Sequence, residues 1–530
     1  MGQRQDRREA SRLDMERVLV STRLAQGGRL IDRTKTLKFR FNDKYYSGVE
    51  GDTLASALLA NDQMLIGRSF KYHRPRGFVA SGAEEPNGIF NMAEGAEFEP
   101  NQRGTTTELY DGLRLDSQNH WPSLDFDIGA VNNKLARFLP AGFYYKMFIH
   151  PRSFWKHIYE PFIRQSAGLG KAPKRGDADK YEHFYAYVDV LVIGGGVAGL
   201  QAALAAGQSG AKVMLIEQTA HWGGRAVVDG AIDTKTVNDM PVDKFVDETL
   251  ATLEAMENVT LRARMMGAGV YDHGYVIGYE RVNDHQPGAE GPRHRLWRIR
   301  AGHVVTATGA IERPLSFAGN DIPGVMLASA ARDYAVNYGV SIGDRTVVVT
   351  NNDDAYLTAI CLKNMGLDVP AILDARNSGG GELAEAAKAL GIRVETGKAI
   401  AKVKGGKRVT GVGVCAQAGQ GALLEEIDCD AVAMSGGWSP VVHLWSHCGG
   451  KLVWDDVYSH FKPDVHNPPK GDHGEAFVSA AGCAAGSQTE TDFEGLSLHE
   501  TLRTAKETAH AAVKALGRTP VDVAVPTVQE

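Results

Sequence analysis

The sequence has no Cys-x-x-Cys pair, and only five of its 530 residues are cysteine: Cys361, Cys415, Cys429, Cys448 and Cys483. Without such pairs, a zinc or iron–sulfur site built by this chain alone is excluded, and no metal ligand is assigned. An odd number of widely spaced thiols argues against a disulfide framework and for a reducing, cytoplasmic setting. Long apolar runs are missing as well. The longest, 188–207, is broken by Asp189 and Gln201, so no membrane span is expected. Net charge is only −6, which gives no general attraction to nucleic acid or anionic membrane. The basic stretch 171–175 reads as a solvated linker. Residues 1–17 mix arginine with acids and have no apolar centre, so they do not form a signal peptide. Residues 1–35 are expected to be a disordered or extended lead, with Met15 as a second candidate start.

What is present is an ordinary globular balance, 43% hydrophobic and 23% charged, in a length suited to several domains. At 36–92, Leu37, Phe39 and Phe41 alternate with Lys38 and Arg40, which predicts a strand with one buried face. Asn42-Asp43 offers a hairpin turn into 45–49, and a helix over 53–59 follows, capped by Asp52 or Thr53. The order strand, turn, strand, helix predicts a ferredoxin-like β-grasp module. Its segment 67–77 has no cysteine, so the module is expected to carry no cluster. Two readings of 67–77 stay open. One is a solvated loop with Phe70 and Tyr72 turned inward. The other is an interface that uses Arg68, Lys71, His73, Arg74 and Arg76. Residues 93–180, with Trp121, Phe143, Tyr144, Tyr145, Phe154, Trp155 and Tyr159, read as a connecting segment that packs on its neighbours.

The pattern then becomes βαβ. A buried strand, 188–193, runs into Gly194, Gly195, Gly196, Val197, Ala198 and Gly199, and a helix follows. In this turn Gly194 allows the tight bend, Gly196 lets a pyrophosphate approach, and Gly199 lets helix and strand pack closely. The helix N-terminus favours phosphate through its unpaired N–H groups and dipole. A second strand, 212–216, ends at Glu217, roughly 18 residues past Gly199, where a ribose-binding acid belongs. A carboxylate there accepts from ribose hydroxyls and repels a 2′-phosphate, which disfavours NADP. Gly224 and Arg225 follow, and the later 304–310 brings Thr308 and Gly309 at a strand end. These eleven residues, Gly194 to Gly199 together with Glu217, Gly224, Arg225, Thr308 and Gly309, are the expected cofactor-binding set.

A second βαβ pattern at 345–355 lacks the glycines and puts Asp353 and Asp354 where phosphates would lie, so it reads as degenerate, and Asp374 reads as structural. In the tail, Gly482-Cys483 stands where enzymes of this architecture that bind FAD have Gly-Asp. Cys483 is either a reactive thiol or, more simply, a small packing residue. His443 and His447 are four apart, and with no third ligand nearby they make no metal site. The fold class is α/β: a cluster-less β-grasp module plus two nested Rossmann-type domains. The expected boundaries are 181–315 with 430–518 for the first dinucleotide-binding domain, 316–429 for the second, and 519–530 for a linker.

The segment 67–77 (GRSFKYHRPRG), the later 84–87 (EEPN), the GGGVAG turn and 307–314 (ATGAIERP) resemble the α subunit of heterotetrameric sarcosine oxidase. The resemblance covers about 25–518. It implies NAD in the Rossmann unit, a β subunit that holds FAD and oxidises the amine, FMN between α and β, and two small subunits. It also implies demethylation of sarcosine, or a related secondary amine, to glycine with hydrogen peroxide and a one-carbon unit. The family α subunit continues into a folate-binding domain that these 530 residues do not include, so tetrahydrofolate is expected only where a separate folate domain is present. No catalytic residue is assigned on this chain. Two alternatives stay open: a free-standing NAD- or FAD-dependent oxidoreductase, and a scaffold subunit that the nucleotide only stabilises.

Overall fold

The computed structural model describes residues 21–138, 142, 148, 150–166, 170–232, 235–416, 422–486 and 497–529. The expected lead as far as residue 20, and Phe143, Tyr144 and Tyr145, lie outside the described residues.

The alternation at 37–41 produces the strand Asp32–Phe41, with Phe39 and Phe41 buried. It pairs antiparallel with Lys44–Glu50, Phe39 opposite Tyr46, through a turn in which Asn42 takes φ 51°. The helix Leu54–Ala60 is capped by Thr53, whose side chain accepts from the Ser56 amide while Ser56 returns the bond. Asp52 has another role. It accepts from Ser56 Oγ at 2.6 Å and pairs with Arg23 at 2.7 Å.

The module continues past residue 92. Arg114–Asp116 runs parallel to the first strand, and Ile89–Met92 with Glu99–Arg103 completes a five-stranded sheet. These strands are short, and only contact with the core reveals Leu115, and Leu113 just before its strand, as buried. Residues 21–31 are not a loose lead. Thr22 Oγ1 donates to the Leu59 carbonyl at 2.6 Å, and the Leu24 amide donates to the Gly339 carbonyl at 2.7 Å. In the connecting segment, Trp121, Phe154, Trp155 and Phe162 stand largely exposed, with Phe154 edge-on to Tyr159 within the same segment.

The first dinucleotide-type domain is built on the strand Tyr181–Ile193, flanked in parallel by Val213–Ile216 and His294–Thr306. Val259–Arg262 extends one side, and the antiparallel strands Met265–Tyr271 and Tyr275–Arg281 extend the other. Val478–Ala480 returns beside His294–Thr306. The final helix, Leu498–Ala515, buries Leu502, Ala505, Ala509, Ala512 and Val513 against the helix Val197–Gln208. That i, i+3, i+4 spacing gives one apolar stripe, and its alanines let two helices approach closely.

The inserted domain has a parallel five-stranded sheet in the order Val325–Leu327, Ala431–Ser435, Thr346–Thr350, Ala371–Asp374, Arg393–Thr396. The expected return to the first domain at 430 is therefore too early. Ala431–Ser435 is fully buried between two strands of the inserted sheet. The chain crosses between the domains on Ala310–Glu312 and Trp438–Pro440, which pair with each other. The tail is not a linker either. Val523 is buried, and Val528–Gln529 pairs with Thr236–Val237, so the apolar spacing of Val523, Val525 and Val528 finds a face to cover.

Candidate dinucleotide site

Strand Tyr181–Ile193 delivers the chain into the glycine turn. Gly194 has φ 111°, and a Cβ there would run into the Ala307 carbonyl oxygen. A Cβ on Gly199 would strike the Gly194 carbonyl oxygen, so helix and turn touch backbone to backbone. Gly196 is different. A Cβ on it would meet only Gly224 Cα, at 3.9 Å. The helix Val197–Gln208 starts at Gly196 with no side chain capping its first amides. Val197 and Ala198 are buried in the first turn and fix its direction. The result is an uncapped positive helix end facing open space, the chemistry that suits a pyrophosphate.

Glu217 lies beside this turn. Its Oε2 accepts from the Gly195 amide at 2.7 Å, and its Oε1 accepts from the Thr219 amide at 2.8 Å. Burial pushes its carboxyl up, opposed by the bonds from Thr219 and Gly195. Trp222, which sequence reasoning did not single out, lies over Gly195. The Gly223 amide donates to the Gly195 carbonyl at 2.8 Å. Gly224 then comes so close to Gly196 that a Cβ on it would lie 3.0 Å from Gly196 Cα. Thr308 and Gly309 follow the neighbouring strand. Thr308 Oγ1 donates to the Val441 carbonyl at 2.9 Å, and the Gly309 carbonyl accepts from the Val441 amide at 3.0 Å. The structure thus brings the glycines, Glu217 and Gly224 together, and uses Thr308 and Gly309 to hold the domain crossover.

Arg225 points away from the turn into a cluster that the sequence did not reveal. It meets Asp229 and Asp333, each at 3.3 Å, and lies over the Trp438 ring at 4.9 Å. Arg332, at 0% side-chain exposure, donates two bonds to Asp354 at 2.8 and 2.9 Å and lies 3.4 Å from Asp229. Burial would raise the Asp354 carboxyl, but the Arg332 guanidinium outweighs it and holds it below the usual range. Glu312, on the crossover, accepts from the Ser329 amide at 2.8 Å. It is pushed up to about 7, first by burial and then by Asp354. Residues distant in sequence make this cluster, so no local motif marks it.

The second βαβ turn is filled. Asp353 accepts from the Gly380 amide at 2.7 Å and from Arg376, and Asp354 is taken by Arg332. Asp374 accepts from Tyr356 and Arg376. Cys483 is half-buried in the turn Gly482–Ala485, and burial pushes its thiol up to about 11. A Cβ on the preceding Gly482 would lie 2.8 Å from Ala198 Cβ, so this turn abuts the start of the phosphate-type helix.

The basic segment is mostly tied down within the chain. Arg68 donates to the Leu124 carbonyl, His73 Nδ1 lies 2.7 Å from Asp127, and Arg76 pairs with Asp321 at 2.6 Å. Phe70 is exposed, not turned inward. His443 and His447 share a short helix, and the His447 ring packs edge-on against Tyr271 at 4.7 Å. Among the described residues no group of three or more His, Cys, Asp or Glu could hold a metal ion, and no helix is long and apolar enough to cross a membrane.

Comparison with known proteins adds to this geometry. Residues 34–120 match the 2Fe-2S iron–sulfur cluster binding domain family. That stretch contains no cysteine, so it does not fit a cluster. The chain is 46% identical to sarcosine oxidase subunit alpha of Rhizobium meliloti (strain 1021), over 82% of this chain and 43% of that protein. It is 34% identical to the subunit of the same name from Corynebacterium sp. (strain P-1), over 82% of this chain and 40% of that one. The chain therefore spans about two fifths of the length of the curated relatives it matches. Among solved structures, L-proline dehydrogenase from P. horikoshii shares the fold, with a TM-score of 0.60 and 20% identity over 93% of this chain and 77% of that one. Residues 188–457, just over half the sequence, match pyridine nucleotide-disulphide oxidoreductases, although none of the five cysteines is in a disulfide. The chain belongs to the pyridine nucleotide-disulphide oxidoreductase family.

Proposed function

We propose that this chain is the NAD-binding α-type subunit of a multisubunit, flavin-dependent, sarcosine oxidase-like complex. In this reading the complex demethylates sarcosine, or a related secondary N-methyl amine, to glycine, with hydrogen peroxide and a one-carbon unit as products. A β-type subunit holds FAD and carries out the amine oxidation, FMN lies between it and this chain, and two small subunits complete the assembly. The observation that carries the reading is the open, uncapped glycine turn in a chain so similar to sarcosine oxidase α subunits.

Gly194 to Gly199 would hold the pyrophosphate on backbone amides, Glu217 would accept from the adenosine ribose, and Gly224 would border the far half of the dinucleotide. When bound, NAD supplies a nicotinamide ring able to take up hydride, and its binding energy stabilises the folded state. NAD is favoured over FAD by Cys483. A neutral thiol is a poor acceptor for a ribityl chain, and losing a bond to a charged group forfeits roughly 1.5–3 kcal/mol. A free-standing oxidoreductase would need a second nucleotide seat, and the turn at 350–355 is filled by its own ion pairs.

The test is to denature the purified chain and identify the released nucleotide, then assay sarcosine oxidation by the chain alone and by the complex isolated through it. NAD without flavin absorbance, and turnover only in the complex, are expected. Stoichiometric FAD from the single chain, or robust turnover by it, would overturn the reading.

A further inference from the structure

Strand Tyr181–Ile193 is thirteen residues long, but only its second half has neighbours on both sides. His294–Thr306 pairs along its whole length, whereas Val213–Ile216 pairs only with Val190 to Ile193. Over 181–187, one edge of the strand has no ladder partner among the described residues. Alternate amides and carbonyls on that edge face outward, which makes a template for another strand.

The side chains there do not protect the edge. Tyr185 is 63% and Tyr187 68% exposed, with Tyr181 and His183 on the same face. The register puts Arg298 beside Tyr185 and Arg300 beside Tyr187. Arg298 lies over the Tyr185 ring at 5.3 Å, and Arg300 over Tyr275 at 4.8 Å. Neither arginine has a carboxylate in ion-pair reach among the described residues. By contrast, Arg295, turned to the other face, is paired with Glu182 at 2.8 Å. The opposite face is partly closed, with Phe184 against Trp297 at 5.0 Å. Arg298 also donates to the Tyr185 hydroxyl and Arg300 to the His273 carbonyl, so an open edge, a row of three tyrosines and His183, and two arginines with no carboxylate partner form one surface: aromatic and Arg anchors of the kind that carry binding energy at protein interfaces.

We infer that the edge 181–187, with Arg298 and Arg300, is a docking site where an extended, acid-bearing segment of a partner subunit adds a strand to the sheet. Main-chain bonds to the free edge give affinity, the tyrosines receive alternate side chains, and carboxylates on the incoming segment meet the two arginines. A second copy of this chain is the weaker occupant, because its own edge would bring the same two arginines and no unpaired carboxylate. The site is separate from the glycine turn, and the inference holds whichever amine the complex oxidises.

The experiment compares amide hydrogen exchange in the isolated chain and in the complex purified from its own cells through a tag on this chain. Amides at 181–187 are expected to exchange freely in the isolated chain and at least about tenfold more slowly in the complex. Tyr185→Lys combined with Arg298→Glu should then cut recovery of the partner by about tenfold or more while nucleotide content per chain stays unchanged. A complex that forms with 181–187 still exchanging freely would overturn the inference and leave the proposed function standing. Protection already present in a dimer of the pure chain would overturn the inference in the same way, whereas a tagged chain that comes from its own cells alone would overturn both the inference and the proposed function.

Discussion

The two βαβ units of this chain follow the same course and differ at one point, the turn between first strand and helix. At 194–199 the turn is glycine, the helix has no side-chain cap, and the one acid nearby, Glu217, reaches back to brace the turn through the Gly195 amide. At 350–355 the turn carries two aspartates, and each is consumed within the protein, Asp353 by Gly380 and Arg376, Asp354 by Arg332. The acid at the end of the second strand diverges in the same way. Glu217 is only partly covered, while Asp374 is fully buried under Tyr356 and Arg376. The same architecture therefore leaves an open glycine turn in one place, the proposed ligand seat, and carries internal charge contacts in the other. Neither helix has a side-chain cap, so the difference lies in the turn itself: bare glycine backbone in one unit, and in the other two carboxylates that would repel an incoming anion.

The comparison can be broken most forcefully at Arg332. Arg332→Ala leaves the half-buried Asp354 without its guanidinium and Asp229 with Arg225 alone, beside a cavity where a fully buried side chain stood, and about 3 kcal/mol of stability should be lost, read from urea denaturation. Arg332→Lys should recover only part of it, because one ammonium nitrogen cannot replace both Nη2, which bonds the Asp354 carboxylate, and Nη1, which donates to the Asp354 carbonyl. A loss below about 1 kcal/mol would mean that the sealed unit is not held by this pair.

Next in size is a pH effect at the crossover between the units. Glu312 is 3% exposed, and its carboxyl is pushed up from 4.5 to about 7. Between those values the folded chain keeps a proton that the unfolded chain releases, so stability falls as pH rises through the window and the loss is complete above about pH 7. The shift corresponds to a loss of about 3 kcal/mol. Glu312→Gln keeps an acceptor for the Ser329 amide and should flatten the dependence, measured as denaturation midpoints at about pH 5 and about pH 8. An unchanged slope in that variant would place the titrating group elsewhere.

At the open unit, Glu217→Ala removes the proposed ribose acceptor and should weaken NAD binding by roughly 1.5–3 kcal/mol, about ten- to a hundredfold by calorimetry. Equal affinity in the variant would remove Glu217 from the site. The smallest effect on the fold, and the sharpest contrast, comes from two glycines. Gly196 has φ −69°, and its Cβ direction is open, so Gly196→Ala should melt with the wild type yet bind NAD several-fold more weakly. Gly194→Ala should lose both stability and binding, because its φ of 111° and the Ala307 carbonyl leave no place for a methyl group. A Gly196→Ala protein with undiminished affinity would show that nothing approaches that backbone closely.

Much of this was legible before any coordinates. The strand 188–193, the glycine turn and Glu217 form one local run, and each step in it is dictated by neighbours within a few residues. The β-grasp start was legible for the same reason, since Phe39 and Phe41 alternate with charges and Thr53 precedes an apolar helix. Where the reading went wrong, the deciding contacts were distant. Leu115 belongs to the first sheet only because Phe41 lies beside it. Ala431–Ser435 looks like any buried strand until its neighbours are known. Val523 and Val528 look like linker residues until they meet the face beside Thr236–Val237.

The sequence by itself determined the glycine turn with its following acid and the absence of cluster cysteines, because both depend on residue types at short, fixed spacing. Only the tertiary structure decided that the second unit's aspartates are held within the chain and that Arg225, Asp229 and Asp354 cluster around the buried Arg332, with the buried Glu312 nearby. It also left the edge at 181–187 without a ladder partner among the described residues, beside two arginines that have no carboxylate partner there. The physical reason is common to all three. A charge is costly or harmless according to what lies within a few ångströms of it, and in the arginine–aspartate cluster that neighbour is between 4 and 108 positions away along the chain.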